Sequence, residues 1–179
     1  MKGMVFTEFL ELVDEKFSFE ITERLIEMSQ LPSDGIYTAV GTYDYQEIVT
    51  LVSNLSTLTD ATVSDLLKAF GRHLFQRFVL SFPLFFEGMC SSMEFLPRVQ
   101  DYVHSEVRKL YPDAELPNFS CSKPEGGTMI MTYRSSRNLA DLAEGLILAC
   151  IDHFGDSLSV EREKSPDDAS ETRFIIRQA

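Results

Sequence analysis

Apolar residues recur at helical spacing through the first two thirds of the chain. Val5, Phe9, Leu12 and Val13 make one stripe, and Ile21, Leu25 and Met28 make a second that ends at the turn Leu31-Pro32-Ser33-Asp34-Gly35. Asp44 with Glu47 reads as a capping box before Ile48, Val49, Val52 and Leu55. Thr62 with Asp65 repeats the signal before Val63, Leu66, Leu67, Phe70, Leu74 and Phe78, with Pro83 as the stop. A further long helix is expected from Ser92 to Leu110, with Leu96, Val99, Val103, Val107 and Leu110 as its stripe and Pro97 in its first turn.

After Pro112 the pattern changes. Glu115 to Phe119 reads as extended, and Lys123 to Gly127 (KPEGG) as a turn. In the strand that follows, Met129 and Met131 alternate with Ile130 and Thr132, and the same alternation places Tyr133, Ser135 and Arg137 on one side. A helix is predicted from Asn138 through Leu139, Leu142, Ala143, Leu146, Ile147 and Cys150 to a stop at Gly155. Leu158 with Val160, and Phe174 with Ile176, then alternate as two strands around a polar turn from Ser165 to Glu171. Helices first, then a small sheet carrying one helix, predict an α+β fold of two lobes, residues 1–62 and 63–179, in a single domain.

Composition narrows the partners. The 179 residues hold 28 acidic and 16 basic side chains, a formal net charge of -12. Such a surface repels nucleic acid and anionic membranes, so neither is expected as a partner. No apolar run approaches the roughly 18 residues of a membrane span. Acidic residues at Glu8, Glu11, Asp14 and Glu15 do not fit a secretory signal. Cys90, Cys121 and Cys150 are isolated, which excludes a zinc knuckle, a disulfide framework and covalent haem attachment, and points to a reducing cytoplasm.

The row Tyr133, Ser135 and Arg137 joins two hydroxyls to a permanent cation, the donor set for an anionic group. A surface row satisfied by neighbouring carboxylates is the structural reading of the same residues. The histidines are the next place to look. His73, His104 and His153 each lie near an apolar stripe, and periodicity does not choose among them. None has a partner at metal-ligand spacing, so no bare zinc site is expected. A single histidine suffices for an iron already held by a porphyrin, whose two propionates would answer the donor row.

These residues resemble the haem nitric oxide/oxygen-binding (H-NOX) family, whose bacterial stand-alone members are related to the haem domain of soluble guanylate cyclase. The resemblance runs through the whole chain. It rests on the opening MKG at Met1, on DYVHSEVRKLYP with His104, on Pro117 in ELPNF, and above all on YRSSR, which fits the family's Tyr-x-Ser-x-Arg motif. It implies a non-covalent haem b between the lobes, with His104 as the proximal iron ligand. Tyr133, Ser135 and Arg137 would bind the propionates, and Pro117 would press on the porphyrin and distort it. On this reading residues 1–62 form the distal lobe, and residues 63–179 carry the proximal helix and the sheet.

The resemblance also places a distal pocket at Val5, Phe9, Leu74, Phe78, Leu142 and Leu146. Oxygen-binding members carry a tyrosine donor where this chain has Leu142, so nitric oxide and carbon monoxide are expected to bind and oxygen to be excluded. Nitric oxide would release His104 and relax the haem. The chain has no catalytic motif and no room for an output domain. The implied partner is a separate sensor histidine kinase or an enzyme of cyclic di-GMP metabolism, and the residues do not choose between them. The tail Ser159–Ala179 lacks the cysteines of zinc-binding relatives, so no zinc is expected. An enzyme acting on a small carboxylate or phosphate, a cofactor-free interaction module, and an oxygen or carbon monoxide sensor of the same fold are the rival readings.

Overall fold

Three of the first four helices begin where short polar side chains close their free N–H groups. Helix α1 covers Gly3–Lys16, α2 Phe19–Ser29, α3 Tyr45–Thr59 and α4 Val63–Ser81. Ser18 caps α2, Asp44 caps α3 by accepting from the Gln46 N–H at 2.9 Å, and Thr62 caps α4 by accepting from the Asp65 N–H at 3.1 Å. The expected capping box at Asp44 is only half made. Glu47 is buried and accepts from Ser33 and from the Tyr37 hydroxyl, tying the loop between α2 and α3 to the core. The computed structural model describes residues 1–123, 126–165, 168 and 170–179. The turns expected at Lys123–Gly127 and Ser165–Glu171 lie partly outside the described residues.

The helix expected over Ser92–Leu110 is broken into three pieces. Helix α5 is one turn, Ser92–Phe95; a π turn follows at Val99–Val103, and α6 runs from His104 to Leu110. The π turn closes when the His104 N–H donates to the Val99 carbonyl, five residues back. Its extra residue rotates all that follows about the helix axis. His104 is thereby buried, whereas Leu110, expected in the apolar stripe, is 60% exposed.

Four antiparallel strands, β1 Asn118–Ser122, β2 Met129–Arg134, β3 Leu158–Lys164 and β4 Glu171–Gln178, pair in the order β1-β2-β4-β3. Helix α7, Ala140–Phe154, covers one face, where Ala143, Ile147, Cys150 and Ile151 meet Met129, Met131, Phe174 and Ile176. Strand β2 stops at Arg134, so Ser135 and Arg137 lie in the turn beyond it and not on a continued strand face. Asn138 in this turn has φ 51°, the left-handed region that asparagine tolerates.

Two apolar clusters give the α+β fold its lobes. One gathers α1–α3, the Leu66–Leu74 part of α4 and Leu139; the other gathers the sheet, α7, Phe75, Phe95 and Leu96. Helices α4 and α7 join them, approaching so closely that a Cβ on Gly71 would collide with the Leu142 carbonyl, and one on Gly145 with that of Lys68. No described helix is long and apolar enough to cross a membrane.

Candidate functional site

The π turn delivers His104 to the interior of the second lobe. The residue is 8% exposed, and its ring lies 5.8 Å, centroid to centroid, from that of Phe119 on β1. Burial, reinforced by the Arg108 cation, pulls the imidazole pKa down to about 4, so the ring is neutral at pH 7. Its Nδ1 is buried without a hydrogen-bond partner among the described residues. Leaving a buried polar atom unpaired costs about 1–3 kcal/mol, which marks the ring as unfinished in the protein alone.

The other two histidines are occupied differently. His73 Nε2 lies 3.2 Å from Glu8, which also receives Arg77 at 2.8 Å. With Glu11, His73 and Glu8 have the spacing of a cation site. Arg77 already supplies that cation. His153 is exposed and packs edge-on against Phe75 and Phe86.

Tyr133 is buried on β2, and burial raises its phenol pKa. Its hydroxyl oxygen accepts from the Leu139 N–H at 3.1 Å, closing the start of α7. The Ser135 hydroxyl accepts from the Arg137 N–H at 3.2 Å. The Arg137 guanidinium donates to the Glu115 carboxylate at 2.6 Å and to the Glu115 carbonyl at 3.0 Å, and lies 5.5 Å from the centre of the Tyr45 ring. The three motif residues are thus neighbours, but each aims its polar group differently.

Arg137 opens onto a cavity of about 210 Å³ at the junction of the lobes, lined also by Met1, Lys2, Asp44, Tyr45, Asp113 and Glu115. Pro117 is half-buried immediately before β1. Phe9 and Leu74 are fully buried in the first lobe's core, while Val5, Phe78, Leu142 and Leu146 are partly buried against it. Leu146 packs on both clusters. All six are apolar, so none offers a hydrogen bond to a bound molecule.

Residues 2–162 match the family described as haem-NO-binding. The chain belongs to that family. Among solved H-NOX structures, that of the Fe(II) unliganded protein from K. algicida is 38% identical with a TM-score of 0.93, covering 100% of this chain and 97% of the other. The H-NOX from Shewanella woodyi, in the Fe(II)CO state with IWP-051 bound, is 37% identical with a TM-score of 0.85, covering 100% and 95%. Soluble guanylate cyclase gcy-35 of Caenorhabditis elegans is 22% identical over 98% of the chain, which spans only 27% of that protein. Membership makes this H-NOX domain a sensor type rather than a catalyst.

Sequence reasoning missed three parts of the site. The π turn leaves no local signature, because Val99, Val103 and Val107 keep α-helical spacing. Glu115 sits in a segment legible only as extended. The Met1 ammonium, which donates to the Tyr43 carbonyl at 2.6 Å beside the motif, has no sequence signal except its position.

Proposed function

We propose that this H-NOX domain is a haem-based gas sensor that takes nitric oxide, and also carbon monoxide, at a ferrous haem b. The observation that carries the reading is His104, a neutral and nearly buried imidazole whose Nδ1 has no partner among the described residues. The residues present fit the cofactor. His104 would ligate the iron; Tyr133, Ser135 and Arg137 would hold the propionates, with Arg137 supplying the charge. Pro117 would bear on the porphyrin. Val5, Phe9, Leu74, Phe78, Leu142 and Leu146 would wall the gas pocket, and their lack of a donor disfavours oxygen.

When bound, a ferrous haem held by His104 would supply the iron that takes a diatomic gas. The chain's contribution is to make His104 both available and movable. Burial keeps its lone pair unprotonated at neutral pH. Its backbone N–H closes the π turn, an arrangement common at functional sites. Gln100 within that turn accepts from the Phe119 N–H on β1 at 3.0 Å, so a displacement of His104 reaches the sheet directly. Residues 1–62, packed on the Leu66–Leu74 part of α4, would act as the distal lobe, and the rest of residues 63–179 as the proximal one. The changed surface is read by a separate signalling protein, a sensor histidine kinase or an enzyme of cyclic di-GMP metabolism.

Anaerobic absorption spectra test the reading. Reduced protein is expected to show a haem spectrum that shifts with nitric oxide and with carbon monoxide but not in air. His104→Gly is expected to keep haem only when free imidazole is supplied. A protein that cannot be loaded with haem, or a His104→Gly variant with unchanged loading and response, would sink the proposal. A stable shift in air would overturn the gas selectivity alone.

A further inference from the structure

We infer that Glu115 is an internal competitor for the carboxylate-binding face of Arg137, holding the guanidinium that a haem propionate would otherwise pair with. The inference rests on the haem-sensor reading and adds a residue that tunes how tightly the cofactor is held.

Arg137 meets Glu115 twice, and the two contacts differ in kind. One guanidinium nitrogen donates to the Glu115 carbonyl at 3.0 Å, and the other donates to the Glu115 carboxylate at 2.6 Å. The Arg137 side chain is 12% exposed, whereas that of Glu115 is 83% exposed. The guanidinium is therefore fixed in the fold, and its carboxylate partner approaches from solvent. A pair whose carboxylate stands in solvent contributes little to stability, because water and salt replace that partner readily. The carbonyl contact can persist when the carboxylate swings away, which keeps Arg137 and the segment leading to Pro117 in register.

Charge around the cavity says which carboxylate would leave. The lining contains three cations, the Met1 ammonium, Lys2 and Arg137, against three anions, Asp44, Asp113 and Glu115. Asp44 caps α3. Asp113 accepts from Lys2 at 3.1 Å and from the Thr42 hydroxyl at 2.7 Å. Both serve the fold, and both would leave a backbone or a cation unpaired. Glu115 is paired to Arg137 alone among the described residues and has open water beside it. The Met1 ammonium is already less basic than usual because of burial first and the Arg137 charge next, with Glu115 and Asp44 opposing. A further anion entering this balanced cluster favours departure of an exposed carboxylate that neither caps a helix nor holds Lys2. Glu115 is that group.

Glu115→Gln keeps the carbonyl contact and removes the competing charge. Haem loss from the ferric holoprotein to excess apomyoglobin is expected to slow roughly 2- to 5-fold in the variant, the range an exposed ion pair supports. The same comparison with haem dimethyl ester is expected to show no difference, since an esterified propionate cannot pair with Arg137. Equal loss rates for haem in the two proteins would overturn the competition, and so would an equal slowing with the ester. Wild-type protein that takes up no haem would sink the sensor reading itself, whereas wild-type protein that holds haem at a rate indifferent to Glu115 sinks only this inference. Thermal unfolding of both apoproteins completes the test. A Tm lowered in the variant by more than a few degrees would show that Glu115 holds the fold together and is not an exchangeable competitor.

Discussion

His104 and the segment Tyr133–Arg137 both offer polar groups to a ligand, yet their surroundings treat them oppositely. The His104 ring is buried with Nδ1 unpaired among the described residues, and its protonation is suppressed. Tyr133, Ser135 and Arg137 are each already engaged, by Leu139, by the Arg137 backbone and by Glu115. A side chain that the fold buries and leaves unsatisfied is stronger evidence for a missing ligand than a row of donors. The fold has uses of its own for donors, such as starting a helix or closing a turn.

The largest test of this contrast is acid. An imidazole in the unfolded chain titrates near 6.5, and that of His104 in the folded protein at about 4. Between those values the unfolded chain binds a proton that the folded one refuses. The haem-free protein therefore loses stability as pH falls from about 6.5 to about 4, on the order of 3 kcal/mol over the window, and His104 adds no further loss below it. Urea titrations of the apoprotein at stepped pH measure the slope, and His104→Phe is expected to remove this share of it. An unchanged slope in the variant would mean that the ring is solvated and the contrast empty.

The same contrast explains what was legible in the chain. Two helix starts were readable because Asp44 and Thr62 act on N–H groups two or three residues away. The buried face of β2 was readable because Met129 and Met131 alternate, and both are buried. The strand's end was not. Polar residues keep alternating past Arg134, while the left-handed Asn138 and a hydrogen bond from the Ser135 N–H to the Ser170 carbonyl redirect the chain. The π turn was hidden for a related reason, since one added residue in a helix changes which face a histidine shows but not the spacing of the valines. His104 was therefore one of three equal candidates until the family resemblance singled it out, and Glu115 had no pattern to belong to.

A middle-sized effect is expected at Tyr133. Tyr133→Phe leaves the ring's packing in place and deprives the buried Leu139 N–H of its acceptor at the first residue before α7. The apoprotein is expected to lose about 1–2 kcal/mol, the cost of an unpaired buried donor, and a few degrees in Tm. Haem binding would weaken with it only as far as the α7 start moves. A variant with unchanged apoprotein stability but weaker haem binding would reverse the comparison, because the phenol would then be reserved for the ligand as His104 is.

Ser135 supplies the smallest effect and the finest discrimination. Its hydroxyl accepts from the Arg137 N–H at 3.2 Å within a half-buried turn, where water can replace much of what is removed. Ser135→Ala is expected to cost the apoprotein only about 0.5–1 kcal/mol. The turn sets where the Arg137 guanidinium lies, so the informative readout is the double variant with Arg137→Ala. If Ser135 acts by placing Arg137, its effect on haem loss disappears once Arg137 is gone. If the hydroxyl instead binds a propionate itself, the two effects add, and Ser135 joins His104 as a group whose partner comes from outside the chain.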